Sequence, residues 1–463
     1  MAKESAVYLG PKLKRLRRDL GLTQSDMAEE LGISASYVAL MEGNQRPVTA
    51  DMLLRLAAAF KIDMAALAGG RADETVDALE TVLRDPLFAE IDLAPMEARD
   101  AAHAHPSLVE AVLRLHAAYR EGQLALADDA GSAESAQDPV GEARRFLAAR
   151  RNSFPTLDDF GERLAADVAA SGGFETYLSE KHRLYVRRLP FDIMAGAVRR
   201  FDVHKQELLL SETLDRASHN FQLALQIAYL DMRELVADAV DEGVFETDNG
   251  APLARRALAN YAAATILMPY GEFVRLAEKR RYDLEVLARR FTVSFEQVAH
   301  RLTTLQKPGQ EGVPFFFTRV DAAGNVSKRL DGAGFPFARH GGSCPLWSLH
   351  EAFGRPREII AQWVELPDGE RFFSIARTVT AGGGAYGASS IRRAIALGCA
   401  EKHASRLIYA DGREMSREAP TPIGVTCRLC HRADCTARAE PPLGRQVLLD
   451  DYRRMAAPYG FGD

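Results

Sequence analysis

Apolar positions between residues 22 and 47 follow a helical period and predict two short helices joined by a tight turn. Met27 and Leu31 are four residues apart and therefore share one face of the first helix. Gly32 favours a break after this helix, because glycine readily adopts a positive φ. In the second helix Val38 points inward. Two helices in this order form a helix-turn-helix, whose second helix enters the major groove of DNA.

The same stretch resembles the phage-repressor type of helix-turn-helix. The resemblance rests on Thr-Gln at the start of the first helix, on Ile-Ser-x-Ser-Tyr at the entry to the second, and on Glu-Gly-Asn-x-Arg-Pro after it. It implies DNA contacts by both helices and the following loop, with Gln24 on a phosphate, Ser34, Ser36 and Tyr37 on base edges, and Asn44 and Arg46 on the backbone.

A basic run before the helix-turn-helix adds positive charge that attracts phosphates. It consists of Lys12, Lys14, Arg15, Arg17 and Arg18. The alternative is a generic helical bundle, in which Tyr37 belongs to the core and the basic run is a solvated face. The coincidence of the motif with the basic run favours DNA binding.

The composition places limits on this interpretation. The chain has 463 residues, enough for about three domains. Its formal net charge is −6, so DNA binding must be confined to a local surface. The sequence contains neither an apolar signal core nor a run of membrane-spanning length, which predicts a soluble, cytoplasmic protein without membrane partners.

Four segments are predicted along the chain, in a fold that is mainly α with α+β parts. They are a five-helix, repressor-like helix-turn-helix domain (residues 1–66), a helical connector and linker (67–142), an α+β domain (143–310) and a mixed α/β C-terminal domain (311–463). In the connector, Leu108, Val112 and Leu115 make a helical stripe. This stripe either pairs two copies of the chain or belongs to a plain connecting helix.

The order of elements in the third segment resembles the zinc-metallopeptidase fold of the phage-immunity and radiation-response antirepressor proteases. Strands are predicted at residues 182–189 and 203–211, and helices at 142–152, 218–230, 255–267 and within 271–305. In those proteases the buried helix after the strands carries His-Glu-x-x-His, which supplies two zinc ligands and the residue that activates water.

The residues of this zinc site are missing here. The chain has Leu225, Gln226 and Tyr229 at the three places of the motif, and Leu258 where a third, acidic ligand is expected. The sequence therefore predicts the peptidase-like (zincin-like) fold without its zinc site. The former cleft is either a small-molecule pocket or is filled by Leu225 and Tyr229.

The fourth segment has a mixed pattern of elements. Strands are predicted at residues 313–320, 359–366 and 371–378, and helices at 348–353 and 391–397. A glycine-rich stretch at 381–390 lacks any known phosphate-binding pattern and is predicted to be a flexible loop.

All five cysteines lie between Cys344 and Cys435. Cys427 and Cys430 have the C-x-x-C spacing that brings two thiolates to one metal, and Cys435 follows five residues later. Three or four thiolates suit an iron–sulfur cluster or structural zinc, with His431 as a possible substitute ligand. The alternative is a set of buried free cysteines.

The order of all these parts resembles the short-chain fatty-acyl regulators, which include bacterial regulators of propionate (methylcitrate) and glyoxylate metabolism. The motifs that carry the resemblance are ARRNSF, LLLSETLDRASHNFQLALQIAYL, NYAAATILMPY, GGSCPLWSLHEAF, ALGCAEKHASRLIYADG and GVTCRLCHRADCTARAEPPLGR. The resemblance implies transcription regulation with acyl-coenzyme A or coenzyme A as the effector. Some members carry an iron–sulfur cluster, which would fall here, as a [4Fe-4S] cluster, on Cys399, Cys427 and Cys430, with Cys344 and Cys435 as further candidate ligands.

These observations predict a homo-oligomeric regulator, dimeric or tetrameric, that binds double-stranded operator DNA under control of an acyl-coenzyme A. For the acyl channel they suggest one face of the buried helix, and for the phosphates several cations in flanking segments. The candidates are Phe221, Leu225 and Tyr229 for the channel, and Arg150, Arg151, Lys181, Arg289 and Arg290 for the phosphates. The alternatives are a redox switch with an iron–sulfur cluster and no small ligand, and a metallopeptidase that cleaves a repressor.

Overall fold

The structure, a computed structural model, describes most of the chain after residue 137 and a smaller part before it. The described stretches are 22–42, 95–105, 138–337, 343–383, 390–413, 418–442 and 455–461, with isolated positions between 13 and 119 and at 447–448. The chain forms two compact units, Met1–Gln123 and Leu124–Asp463. None of the described helices is long and apolar enough to cross a membrane.

The two helices of the predicted helix-turn-helix are present in the first unit. They span Gln24–Leu31 (α1) and Ala35–Glu42 (α2). The Thr23 hydroxyl accepts a hydrogen bond from the Asp26 amide at 3.2 Å, and the Asp26 carboxylate accepts one from the Thr23 amide at 2.8 Å. This reciprocal cap satisfies amides that have no partner within the helix. Gly32 ends α1 with a φ of 64°, a conformation that favours glycine.

The connector contains a helix at Pro95–Ala104 (α3). Its described core is formed by Leu79, Ala98 and Val109. In the predicted stripe, Leu108 and Leu115 are instead 63% and 72% exposed. These two leucines therefore face away from the described core of their own unit.

The second unit begins with a part in which nine described helices surround a small sheet. The helices are Pro139–Ala149 (α4), Pro155–Ala170 (α5), Phe174–His182 (α6), Arg216–Asp231 (α7), Arg233–Asp241 (α8), Gly250–Leu267 (α9), Tyr270–Lys279 (α10), Leu284–Phe291 (α11) and Phe295–Leu302 (α12). The strands are Tyr185–Leu189 (β1), Arg199–Asp202 (β2) and Glu207–Ser211 (β3). The central strand β3 pairs parallel with β1 and antiparallel with β2.

The boundaries of several predicted elements differ from the structure, and three of these differences have a local cause. Helix α4 starts before the predicted range, at residue 139, because Asp138 caps it and Pro139 occupies its first turn. The strand predicted from residue 182 starts at Tyr185, after α6 has ended at His182. The strand predicted at 203–211 is only β3, since a turn with Gln206 at a φ of 52° separates it from β2.

The C-terminal part contains a six-stranded sheet in the order β5-β4-β8-β7-β6-β9. Its strands are Phe316–Val320 (β4), Val326–Leu330 (β5), Ile360–Glu365 (β6), Arg371–Gly382 (β7), Ser390–Ala400 (β8) and Thr421–Pro422 (β9), with a short helix at Ser348–Glu351 (α13). Most of the glycine-rich stretch, residues 384–389, lies outside the described residues.

The helix predicted at residues 391–397 is wrong, because this segment is strand β8. It pairs antiparallel with β4 on one side and with β7 on the other. A short apolar run that is buried on both faces does not reveal its period, so the sequence pattern fits either a helix or a central strand. Gly398 permits the close packing here, since a Cβ at this position would lie 2.4 Å from the Phe316 ring.

The two faces of this sheet belong to different cores. Phe317 and Phe373 face the helices of the preceding part and join their hydrophobic core. Phe316 and Phe372 face the opposite side, where they pack with Trp347. The zincin-like part and the C-terminal part thus share one continuous core within the second unit.

A buried ion pair links three helices near this shared core. The Asp158 carboxylate on α5 lies 2.7 Å from the guanidinium of Arg301 on α12, and both side chains are fully buried. The hydroxyl of Tyr261 on α9 donates to the same carboxylate at 2.6 Å. Burial raises the pKa of Tyr261, and the charge of Asp158 adds to this effect, so the hydroxyl keeps its proton.

Candidate functional site

The exposed surface of the helix-turn-helix carries the predicted base-reading residues. Ser34 and Ser36 are exposed, and the Ser34 hydroxyl accepts a hydrogen bond from the Tyr37 amide at 3.2 Å. The guanidinium carbon of Arg46 lies 5.2 Å from the centroid of the Tyr37 ring. This cation–π contact places Arg46, which is predicted to contact the DNA backbone, next to Tyr37, which is predicted to contact base edges. Three other predicted DNA contacts, Lys14, Arg15 and Asn44, lie outside the described residues.

Gln24 has a partner inside the protein that the sequence did not suggest. Its amide donates to the carboxylate of Glu42 at 2.7 Å. The same carboxylate lies 2.6 Å from Nε of Arg17. Glu42 is buried, so this network fixes the orientation of the Gln24 side chain at the start of α1. Arg17, which the sequence placed in the basic run, thus forms an ion pair with Glu42.

The positions of the former zinc site lie on α7 and α9. Leu225, Gln226 and Leu258 are buried, whereas Tyr229 is 39% exposed. Arg199, from strand β2, donates to the side-chain carbonyl of Gln226. Its guanidinium carbon also lies 5.3 Å from the centroid of the Tyr229 ring.

Arg199 was not among the predicted site residues, because strand β2 was not recognised in the sequence. Burial lowers the pKa of Arg199 from its ordinary value. Its buried Nε has no hydrogen-bond partner among the described residues. A desolvated guanidinium with a free N–H is suited to an anionic group. The site therefore combines apolar side chains and one cation in place of a metal and its ligands.

The cations predicted to bind phosphates lie on separate elements and have different partners. Lys181 pairs with Asp231 at 3.3 Å, and Arg290 pairs with Glu272 at 2.8 Å. Further predicted cations are Arg150, which lies over the ring of Phe146, Arg289, which donates to the Glu285 carbonyl, and Arg151, which follows α4 with a φ of 50°. The joint phosphate site of these five side chains therefore stays a prediction from the sequence.

Four cysteines line one small cavity in the C-terminal part, which is partly open to solvent. They are Cys344, Cys427, Cys430 and Cys435. All are free thiols, and the Ala439 amide donates to the sulfur of Cys427 at 3.4 Å. The exposed His431 is not part of the lining.

Cys399, a predicted metal ligand, does not line this cavity. It is fully buried in β8, in the core shared with the zincin-like part. Burial there raises the pKa of the Cys399 thiol to about 12. The sequence motif around Cys399 therefore marks a core position of the sheet, and Cys344 and Cys435 take its place at the cavity.

Polar groups without partners also line the cysteine cavity. The Nε atoms of Arg432 and Arg438 and the hydroxyl of Thr426 are buried and have no hydrogen-bond partner in the described part of the chain. Gly424 leaves room for the thiols, since a Cβ there would lie 3.0 Å from Sγ of Cys430. Across the described residues, however, no three His, Cys, Asp or Glu side chains converge closely enough to hold a single metal ion.

A repressor-type helix-turn-helix joined to a helical domain with a small mixed sheet is the organisation of a DNA-binding transcriptional regulator. Family comparisons match three parts of the chain. Residues 13–67 match the helix-turn-helix family, 179–303 the IrrE N-terminal-like domain, and 304–459 the C-terminal domain of short-chain fatty acyl coenzyme A regulators.

The chain belongs to this family of short-chain fatty acyl coenzyme A regulators, which confirms the resemblance. It is 37% identical to the HTH-type transcriptional regulator RamB of Mycobacterium tuberculosis, over 98% of this chain and 99% of RamB. It is 39% identical to the propionyl-CoA carboxylase regulator of Cereibacter sphaeroides, over 99% of both chains. A solved Mycobacterium tuberculosis transcriptional regulator is similar with a TM-score of 0.65 and 36% identity, over 70% of this chain and all of that one.

Proposed function

We propose that this regulator controls genes of short-chain acyl metabolism and that an acyl-coenzyme A or coenzyme A sets its affinity for operator DNA. The replacement of the zinc site by Arg199 beside Tyr229 carries this proposal. The relatives named as RamB and as a propionyl-CoA carboxylase regulator support the metabolic assignment. Gel-shift titrations of full-length protein with propionyl- or acetyl-coenzyme A test it, and an unchanged affinity for DNA with every acyl-coenzyme A would falsify it.

The ligand site that we propose is the cleft along α7. Phe221, Leu225 and Tyr229 are spaced by four residues and share one face of that helix. Arg199 supplies a cation for an anionic part of the ligand, in place of the five cations proposed from sequence. Its contact with the exposed Tyr229 ring puts this cation at the solvent side of the apolar face.

Tyr229→Glu is expected to weaken acyl-coenzyme A binding tenfold or more, or about 1.4 kcal/mol, because a carboxylate would face the acyl chain and pair with Arg199. Calorimetry on the full-length protein measures this affinity. The matched control is Tyr185→Glu, which makes the same change at a tyrosine that is 63% exposed on β1. Equal affinities of the two variants would place the ligand elsewhere.

For the DNA interface we propose that Ser34, Ser36 and Tyr37 read bases and that Gln24 and Arg46 hold phosphates. Arg46→Ala is then expected to weaken binding to all sequences alike and to lower the salt slope by about one. Tyr37→Ala should cost about 1–3 kcal/mol and relax specificity at one position. The affinity of each variant for specific and random DNA duplexes, measured at several salt concentrations, separates phosphate contacts from base contacts. A changed sequence preference with an unchanged salt slope in Arg46→Ala would reverse these roles.

We also propose a homo-oligomer on a repeated or palindromic site, because one helix-turn-helix reads too few base pairs. The exposed Leu108 and Leu115 offer an apolar surface for pairing. Sedimentation of Leu115→Glu beside wild type tests this surface. A variant with the same mass in solution as wild type would exclude it.

For the cysteine cavity we propose an iron–sulfur cluster, with structural zinc as the alternative. Thiolate ligands suit either group. The unpaired N–H groups of Arg432 and Arg438 can donate to an anionic cluster. Iron and sulfide analysis of protein purified without oxygen tests this assignment, and one zinc without sulfide supports the alternative.

A further inference from the structure

A polar cluster lies where α12 packs against strands β4 and β5, outside the DNA, ligand and cysteine sites. It consists of Glu296 and His300 from the helix, Arg319 from β4 and Lys328 from β5. Arg319 and Lys328 are register partners on adjacent strands and therefore project from the same face of the sheet. Arg319 lies 2.8 Å from the Glu296 carboxylate, and Nζ of Lys328 lies 3.3 Å from Nδ1 of His300.

His300 is held between a carboxylate and an amine. Its Nε2 lies 3.7 Å from Glu296, and its ring packs edge-to-face on Phe317 with 4.4 Å between centroids. Burial, together with the charges of Lys328 and Arg319, lowers the pKa of His300 well below its ordinary value. The imidazole is therefore neutral at pH 7. A proton on Nε2, facing Glu296, leaves Nδ1 as the acceptor for an N–H of Lys328.

Lys328 has the properties of a nucleophilic lysine. Burial lowers the pKa of Lys328 to about 8; Arg319 acts in the same direction and Glu296 in the opposite one. A larger fraction of this side chain is therefore the free amine near neutral pH than for an ordinary lysine. Strand β5 forms an edge of the sheet, and the side chains of His300 and Glu296 are 25% and 22% exposed. Solvent therefore reaches the cluster.

We propose that Lys328 is a modification site that takes the acyl group of a short-chain acyl thioester. Its Nζ attacks the thioester carbonyl carbon, a C–N bond forms, and the C–S bond breaks. The proton that the nitrogen loses passes through water to the leaving thiolate, while Nδ1 of His300 accepts a hydrogen bond from Nζ and orients the amine. The products are an acyl-lysine amide and a free thiol, and no oxidant or reductant is required. The neutral amide would remove one positive charge from the junction between α12 and the sheet.

The test uses full-length protein and two thioesters, propionyl-coenzyme A and S-propionyl-N-acetylcysteamine, which lacks the nucleotide. Peptide mass spectrometry then compares Lys328 with Lys279, an exposed lysine at the end of α10. Lys328 should be propionylated about tenfold faster or more, with a rate that levels off above pH 8. The small thioester makes this result independent of effector binding. Equal or slower modification of Lys328 than of Lys279 with both thioesters overturns the proposal.

His300→Gln tests the role of the imidazole. In this variant the propionylation rate of Lys328 should fall close to that of Lys279, while the rate at Lys279 stays unchanged. The control is His350→Gln, which alters another half-buried histidine, whose Nε2 lies 2.9 Å from the Ser343 hydroxyl. If both variants, with wild-type circular dichroism, modify Lys328 at the wild-type rate, the role of His300 in orienting the amine is wrong.

Discussion

Asp158→Ala is expected to destabilise the second unit by about 3–5 kcal/mol, because it leaves the buried charge of Arg301 without its partner. The hydroxyl of Tyr261 loses its acceptor as well. Since these residues lie on α5, α9 and α12, the loss loosens the packing of three helices. The shift of the urea-unfolding midpoint of the full-length protein measures the effect.

The neighbouring residue provides a matched control. Asp159 also forms an ion pair, with Lys307, but its side chain is 57% exposed. Asp159→Ala should therefore cost at most about 1 kcal/mol, because solvent screens an exposed pair. Similar midpoints for the two variants would show that the buried pair does not carry the stability assigned to it.

Cys344→Ala is expected to reduce the bound iron, or zinc, to a small fraction of the wild-type content, whereas Cys399→Ala should retain it. The reason is the position of each thiol, since Cys344 lines the cavity and Cys399 lies in the sheet core. Metal and sulfide content per chain, measured after anaerobic purification, gives the comparison. Alanine is used at both sites so that each substitution removes one thiol group and nothing else differs between them.

Gly424→Ala is a second variant for this site, because it changes no thiol. The added Cβ would crowd Sγ of Cys430 and should lower the metal content. If Cys344→Ala kept its metal and Cys399→Ala lost it, the ligands would be those predicted from the sequence, Cys399, Cys427 and Cys430. Wild-type protein without any metal would reject the cluster and the zinc alternative together.

Local sequence signals predicted the parts of the fold that depend on neighbouring residues. Gly32 predicted the end of α1, because turns act within a few residues. Helices α7 and α9 were predicted from their apolar runs. Strand β8 was mistaken for a helix, because strand pairing over long sequence separations determines its conformation.

The sequence by itself determined the family, the helix-turn-helix and the absence of zinc ligands at Leu225, Gln226 and Tyr229, since each depends on which residues occupy a motif. Only the tertiary structure decided which side chains meet. It placed Arg199 against Tyr229, and Cys344 beside the C-x-x-C turn but not Cys399. The physical reason is that these partners lie on different helices, strands and loops, so their contacts follow from sheet order and core packing, which residue spacing along the chain does not encode.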